Sequence, residues 1–113
     1  MAGSHIAIPT ILKIGGGTLG NVGKYLQSSG FKKAVVFFGN GLVEMFGKTV
    51  MDSLSEADIE VLSYCELDTT DIKDIIDLAF TIDAKTQVIL GIGGGKVIDA
   101  GKYAAYLRKL PFI

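Results

Sequence analysis

Apolar residues occur along the chain in short runs that are separated by segments with helical spacing. Two runs, Ala34–Phe38 and Val88–Ile92, contain no polar side chain. Such uninterrupted runs are typical of strands that are covered on both faces, as in a parallel sheet. Two further strands are predicted at Ile11–Ile14 and at 58–64, the latter nearer a sheet edge because its residues alternate, and 111–113 predicts the start of one more.

Between these strands, apolar side chains recur every three or four residues. This spacing predicts helices from 18 to about 26, from 42 to about 54, from 71 to 80 and from 96 to about 109. Strands that alternate with helices over short loops predict an α/β domain with a mainly parallel, doubly wound sheet of the Rossmann or flavodoxin-like type.

The length of 113 residues suits one domain. The chain is 49% hydrophobic and 20% charged, with a mean hydropathy of +0.43, which excludes intrinsic disorder. No apolar stretch reaches the roughly 18 residues that a transmembrane helix needs, so no membrane span is expected. The single cysteine, Cys65, cannot form an internal disulfide, and a cytoplasmic location is therefore expected.

The first five residues resemble a cloning remnant rather than part of a fold. The predicted domain therefore spans residues 6–113. Excluding residues 1–5 also excludes His5, the only histidine, so this chain alone cannot assemble a Ser-His-Asp triad or a His-based metal site.

Charge is nearly balanced overall but unevenly placed. The net charge of −1 favours no nucleic acid and no anionic membrane as a partner. Ten of the twelve acidic residues lie within 52–83, where Lys73 is the only base. We interpret this segment as a solvated face, which leaves the positive potential with the glycine loops.

Gly93-Gly94-Gly95 lies between a predicted buried strand and a predicted helix, with Lys96 directly after it. Glycines allow the backbone to approach a ligand closely, and a helix N-terminus offers free N–H groups to an anion. This position predicts a phosphate or pyrophosphate site. A purely structural turn is the alternative.

A second glycine loop, Gly39-Asn40-Gly41, follows the other apolar strand. If the strands ending at Phe38 and Ile92 are neighbours, both loops flank one crevice. A dinucleotide in this crevice would have its adenosine at the first loop, 39–41, and its pyrophosphate at the second loop, 93–95. Gly39 and Asn40 offer no carboxylate to repel a 2′-phosphate, so NADP is expected to be tolerated as well as NAD.

Residues 88–106 read VILGIGGGKVIDAGKYAAY, followed by LPFI at 110–113. This pattern resembles the signature of the iron-containing alcohol dehydrogenase superfamily. That superfamily includes glycerol dehydrogenases, glycerol-1-phosphate dehydrogenases and dehydroquinate synthases. The resemblance implies that residues 6–113 are an amino-terminal nucleotide-binding domain. It also implies that Gly93, Gly94, Gly95 and Lys96 line the pyrophosphate and that Asp99 lies near the nicotinamide. Lys102 favours a dehydrogenase within this superfamily. The resemblance further implies that the first triplet, Gly15–Gly17, forms a turn away from the pyrophosphate.

The resemblance predicts the cofactor-binding half of an NAD(P)-dependent polyol or polyol-phosphate dehydrogenase. In such enzymes a second, helical domain holds a divalent metal, zinc or iron, through Asp and His residues. That half is expected beyond Ile113, so this chain is expected to be inactive alone and prone to self-association. A dehydroquinate synthase-like lyase half and a truncated or engineered non-catalytic flavodoxin-like domain remain alternatives.

Overall fold

The computed structural model describes residues 19–113, in which a parallel sheet is flanked by helices. After a 3-10 helix at Leu19–Asn21, the elements in chain order are α1 (Val22–Ser28), β1 (Lys33–Gly39), α2 (Leu42–Glu56), β2 (Glu60–Leu67), α3 (Ile72–Ala79), β3 (Val88–Ile92) and α4 (Gly95–Arg108). The predicted α/β fold with a parallel, Rossmann-like sheet is confirmed. The predictions for residues 1–18, among them the strand 11–14 and the triplet Gly15–Gly17, lie outside the described residues.

The sheet has the order β2-β1-β3, and all its strands are parallel. Phe112 forms a parallel bridge with Ile89, so residues 111–113 continue the sheet as the sequence predicted. The chain moves from β1 outward to β2 and then crosses back to β3 on the other side of β1. Strand order therefore reverses between β1 and β3.

The edge strand β2 differs most from its prediction. It was expected at 58–64 but runs from Glu60 to Leu67. Asp58 lies instead in the turn after α2, with a left-handed φ of 59°. Within residues 19–113, β2 has only one neighbouring strand, β1, so part of its surface is exposed and the strand can continue through the polar Glu66. Among residues 19–113, no helix is both long and apolar enough to cross a membrane.

The core consists of one apolar layer on each face of the sheet. Successive side chains of β1 point to opposite faces, so Val36 and Phe38 pack with α1 and α2, whereas Val35 and Phe37 pack with α3 and α4. All four are at most 1% exposed. Burial on both faces explains why residues 34–38 of β1 form an uninterrupted apolar run.

Phe112 closes one of these layers by filling the space above two glycines. Its ring is buried, and a Cβ added to Gly101 on α4 would lie 2.2 Å from Phe112 Cε1. A Cβ added to Gly91 on β3 would lie 2.5 Å from Phe112 Cζ. The absence of side chains at these two positions therefore lets α4 and the segment 111–113 pack together.

Alanine substitutions at two helix glycines should change the free energy of unfolding in opposite directions. We expect Gly101→Ala to lower the free energy of unfolding by about 1–3 kcal/mol, because the new methyl overlaps the buried Phe112 ring. In Gly47→Ala on α2, the added Cβ would lie 3.4 Å from Val43 Cγ1, which is an ordinary van der Waals contact. We expect this substitution to raise the free energy of unfolding by about 0.5–1 kcal/mol, because alanine has a higher helix propensity than glycine. Urea unfolding of both variants measures this, and equal changes would contradict the packing described for Phe112.

Candidate functional site

The loops that follow β1 and β3 touch each other through their backbones. Phe38 and Ile92 are paired in the sheet, so both strands end at the same edge. A Cβ added to Gly93 would lie 3.2 Å from the Gly39 nitrogen and 3.3 Å from the Gly39 Cα. Gly93 also has a φ of +153°, which side-chain-bearing residues rarely adopt. The expected proximity of the two glycine loops is therefore observed.

A cleft of about 340 Å³ opens above this contact. It lies at the carboxyl ends of the strands where strand order reverses, the usual ligand position in an open α/β sheet. The residues that line it are Gly39, Asn40, Leu42, Leu67, Asp68, Gly94, Gly95, Lys96 and Val97.

The N-terminus of α4 presents bare backbone to this cleft. Gly94 is the N-cap, and no side chain caps the helix by a hydrogen bond. A Cβ added to Gly94 or Gly95 would meet nothing within 4 Å, so both glycines face open space. The first N–H groups of a helix have no partner within the helix and carry a partial positive charge. This end of α4, with the exposed Lys96, can receive an anion.

The N-terminus of α2 begins at the other glycine loop but differs electrostatically. Its N-cap is Gly41, and the backbone N–H of Val43 donates to Glu66 Oε2 at 3.0 Å. A carboxylate from β2 thus already occupies one donor of this helix end. Of the two helix N-termini at the cleft, that of α4 therefore has the more favourable electrostatics for an anion, because no side-chain carboxylate caps it.

The residues proposed from the sequence fall into two groups. Five of them line the cleft: Gly39, Asn40, Gly94, Gly95 and Lys96. Gly93 lies behind the cleft as the contact between the loops, and Asp99 is exposed on α4 outside the lining. Cofactor contact stays a prediction for all seven proposed residues.

Asp68 is a cleft residue that the sequence analysis did not single out. It follows Leu67, which pairs with Gly39, so the end of β2 reaches the first glycine loop. The sequence placed Asp68 in an acidic, solvated segment and assigned positive potential to the glycine loops. In the structure the cleft carries both signs, because a member of that acidic segment lines it. No local signal in the sequence indicated this position, because the strand predicted at 58–64 ends four residues before Asp68, whereas β2 runs to Leu67.

Cys65 lies on β2 opposite Phe37 and is half-buried. Burial raises the pKa of its thiol, which disfavours the thiolate at neutral pH. Cys65 packs against the buried apolar layer between the sheet and helices α3 and α4, so we interpret it as a packing residue. Among the described residues, no three His, Cys, Asp or Glu side chains are grouped so that they could hold a metal ion.

Comparison with known proteins identifies the family of this arrangement. The family described as iron-containing alcohol dehydrogenase matches residues 13–113. Glycerol-1-phosphate dehydrogenase [NAD(P)+] of Pyrobaculum islandicum is 28% identical over 106 residues, which cover 94% of this chain and 28% of that protein. The enzyme of the same name from Thermoplasma volcanium is 35% identical over 89 residues, 77% of this chain and 25% of that protein.

A solved structure agrees with these matches. Glycerol dehydrogenase from Schizosaccharomyces pombe superimposes with a TM-score of 0.72 at 27% identity, over 83% of this chain and 24% of that one. The chain thus spans about a quarter of the length of these relatives. With its sheet order, its paired glycine loops and a family match over residues 13–113, the chain belongs to the iron-containing alcohol dehydrogenase family.

Proposed function

We propose that residues 6–113 form the dinucleotide-binding domain of an NAD(P)-dependent, metal-dependent polyol or polyol-phosphate dehydrogenase. The observation that carries this proposal is the cleft between the two glycine loops, at the point where strand order reverses. One of its walls is a helix N-terminus without a cap, and the other is the loop after a central strand. The relatives named above are glycerol and glycerol-1-phosphate dehydrogenases, which supports a small polyol or its phosphate as the substrate.

In this proposal the pyrophosphate binds at the start of α4. The backbone N–H groups of Gly95 and Lys96 donate to its oxygens, and the Lys96 ammonium adds a full positive charge. Gly94 leaves room for the phosphate because it has no side chain. The helix end contributes the equivalent of roughly half a positive charge.

The adenosine then extends toward the first loop, and the nicotinamide toward Asp99. Gly39 and Asn40 form the wall on the adenosine side, and the apolar side chains of Leu42 and Leu67 line the same cleft. Apolar lining with a few polar groups suits a nucleoside, whose base is flat and largely apolar. Asp99 lies on α4 after the pyrophosphate position and could face the other end of the dinucleotide.

The bound cofactor would supply hydride transfer, and the described residues would supply binding and orientation. For the metal of the proposed dehydrogenase, a full ligand set would need residues from outside 19–113, because the described residues offer no suitable group. A dehydroquinate synthase-like lyase is the weaker alternative, since the relatives named above are all dehydrogenases.

Pyrophosphate should bind this chain at the start of α4. In an amide-resonance titration with sodium pyrophosphate, we expect the amide resonances of Gly94, Gly95 and Lys96 to shift first, because these residues line the cleft and the first N–H groups of α4 have no side-chain cap. Lys96→Gln should weaken binding by about twofold to fivefold, as expected for one exposed charge contact of about 0.3–1 kcal/mol. Lys73→Gln, an equal charge change on exposed α3, is the matched control.

Two results of that titration would contradict the assignment. The first is equal weakening by Lys96→Gln and Lys73→Gln, which would indicate attraction by net charge alone. The second is a set of shifts confined to the start of α2, which would place the anion at the other glycine loop.

Gly94→Ala should weaken ligand binding without changing the stability of the fold. Gly94 has φ −87° and ψ −162°, which alanine adopts, and its added Cβ meets no atom within 4 Å. We therefore expect the free energy of unfolding to stay within about 0.5 kcal/mol, while the methyl in the cleft weakens ADP binding severalfold. Gly20→Ala, equally unobstructed but in the 3-10 helix, is the control for both measurements. ADP affinity that is unchanged in Gly94→Ala would mean that the phosphate does not approach this glycine.

A further inference from the structure

The end of β2 brings an acidic side chain to the adenosine side of the cleft. Gly39 pairs with Leu67 in the sheet, so Asp68 follows directly beside the first glycine loop and lines the cleft with Asn40. Asp68 is exposed. Among residues 19–113 no hydrogen bond or ion pair involving its carboxylate is formed, so this group is available to a ligand.

Glu66 adds a second negative charge at the same loop. Its carboxylate accepts from the Val43 N–H at the start of α2, beyond the loop 39–41. The cation that lines the cleft, Lys96, lies instead on α4 at the other loop, and it is not within ion-pair distance of Asp68. The cleft is therefore divided by charge, with a positive pyrophosphate side and a negative adenosine side.

We propose, on the basis of the function proposed above, that Asp68 selects NAD over NADP. Its carboxylate accepts hydrogen bonds from the hydroxyls of the adenosine ribose and repels a 2′-phosphate. The expectation that NADP is tolerated rested on the absence of a carboxylate at Gly39 and Asn40. The structure supplies the missing carboxylate from the neighbouring strand.

The chemistry of the two cofactors makes this discrimination strong. A ribose without a 2′-phosphate offers two neighbouring hydroxyl donors, and an ionised carboxylate has only acceptor sites. A 2′-phosphate replaces one donor with a group of charge near −2, which has no donor for Asp68 and no basic residue lining this side of the cleft among those described. Glu66 increases the repulsion and satisfies a donor of α2 that a phosphate could otherwise use.

The test compares ADP with ADP that carries a 2′-phosphate, two probes that differ only at the selected position. Both are titrated into the 113-residue chain and followed by the amide resonances of the cleft. We expect the unsubstituted chain to bind ADP more tightly. Asp68→Asn should raise the relative affinity for the 2′-phosphorylated probe by about threefold or more, as expected for one charge removed near a dianion in a screened, exposed site. Asp68→Ala should show a similar change in that ratio and also weaken ADP, because it removes the acceptor for the ribose.

Asp77→Asn is the matched control, because it removes the same charge from an exposed position on α3 outside the cleft lining. In one outcome, ADP shifts the amide resonances of Gly94, Gly95 and Lys96, but the ratio of the affinities for the two probes is the same in Asp68→Asn and Asp77→Asn. The proposed selection by Asp68 is then wrong, and the proposed function stands. If millimolar ADP leaves those amides unshifted in the unsubstituted chain, the proposed function is wrong, and the selection falls with it.

Discussion

The backbone contact between Gly39 and Gly93 is the constraint on which the cleft depends. It joins the ends of two central, paired strands, and an added Cβ at Gly93 would come within 3.2 Å of the Gly39 nitrogen. Because the loops lie this close, the helices α2 and α4 begin side by side at one edge of the sheet. A side chain at Gly93 would separate the loops and widen the cleft that lies above them.

The two helix N-termini at this edge are distinguished by what occupies them. The start of α2 receives the Glu66 carboxylate, whereas the start of α4 has no side-chain cap and carries Lys96. Sheet order causes this difference, because β2 lies beside β1 and brings its acidic end to the first loop only. One crevice thus acquires a side suited to a phosphate and a side suited to ribose hydroxyls.

The sequence predicted the two central strands and their glycine loops, but it did not predict that the acidic end of β2 lies at the cleft. The runs Ala34–Phe38 and Val88–Ile92 are apolar because both faces of their strands are buried, so local pattern alone indicated two central strands with glycine loops at their ends. Asp68 gives no comparable local signal. Its role depends on how far the edge strand β2 extends and on which strand lies beside it, and both are set by long-range pairing. The same long-range pairing, rather than any local pattern, carried β2 beyond its predicted end to Leu67.

A crystal structure of this chain with NADH bound tests the central claim most directly, because it locates each part of the dinucleotide. The account predicts the pyrophosphate within hydrogen-bond distance of the Gly95 and Lys96 N–H groups, with the adenosine ribose between Gly39 and Asp68. Pyrophosphate at the start of α2, or adenosine on the α4 side of the cleft, would contradict it.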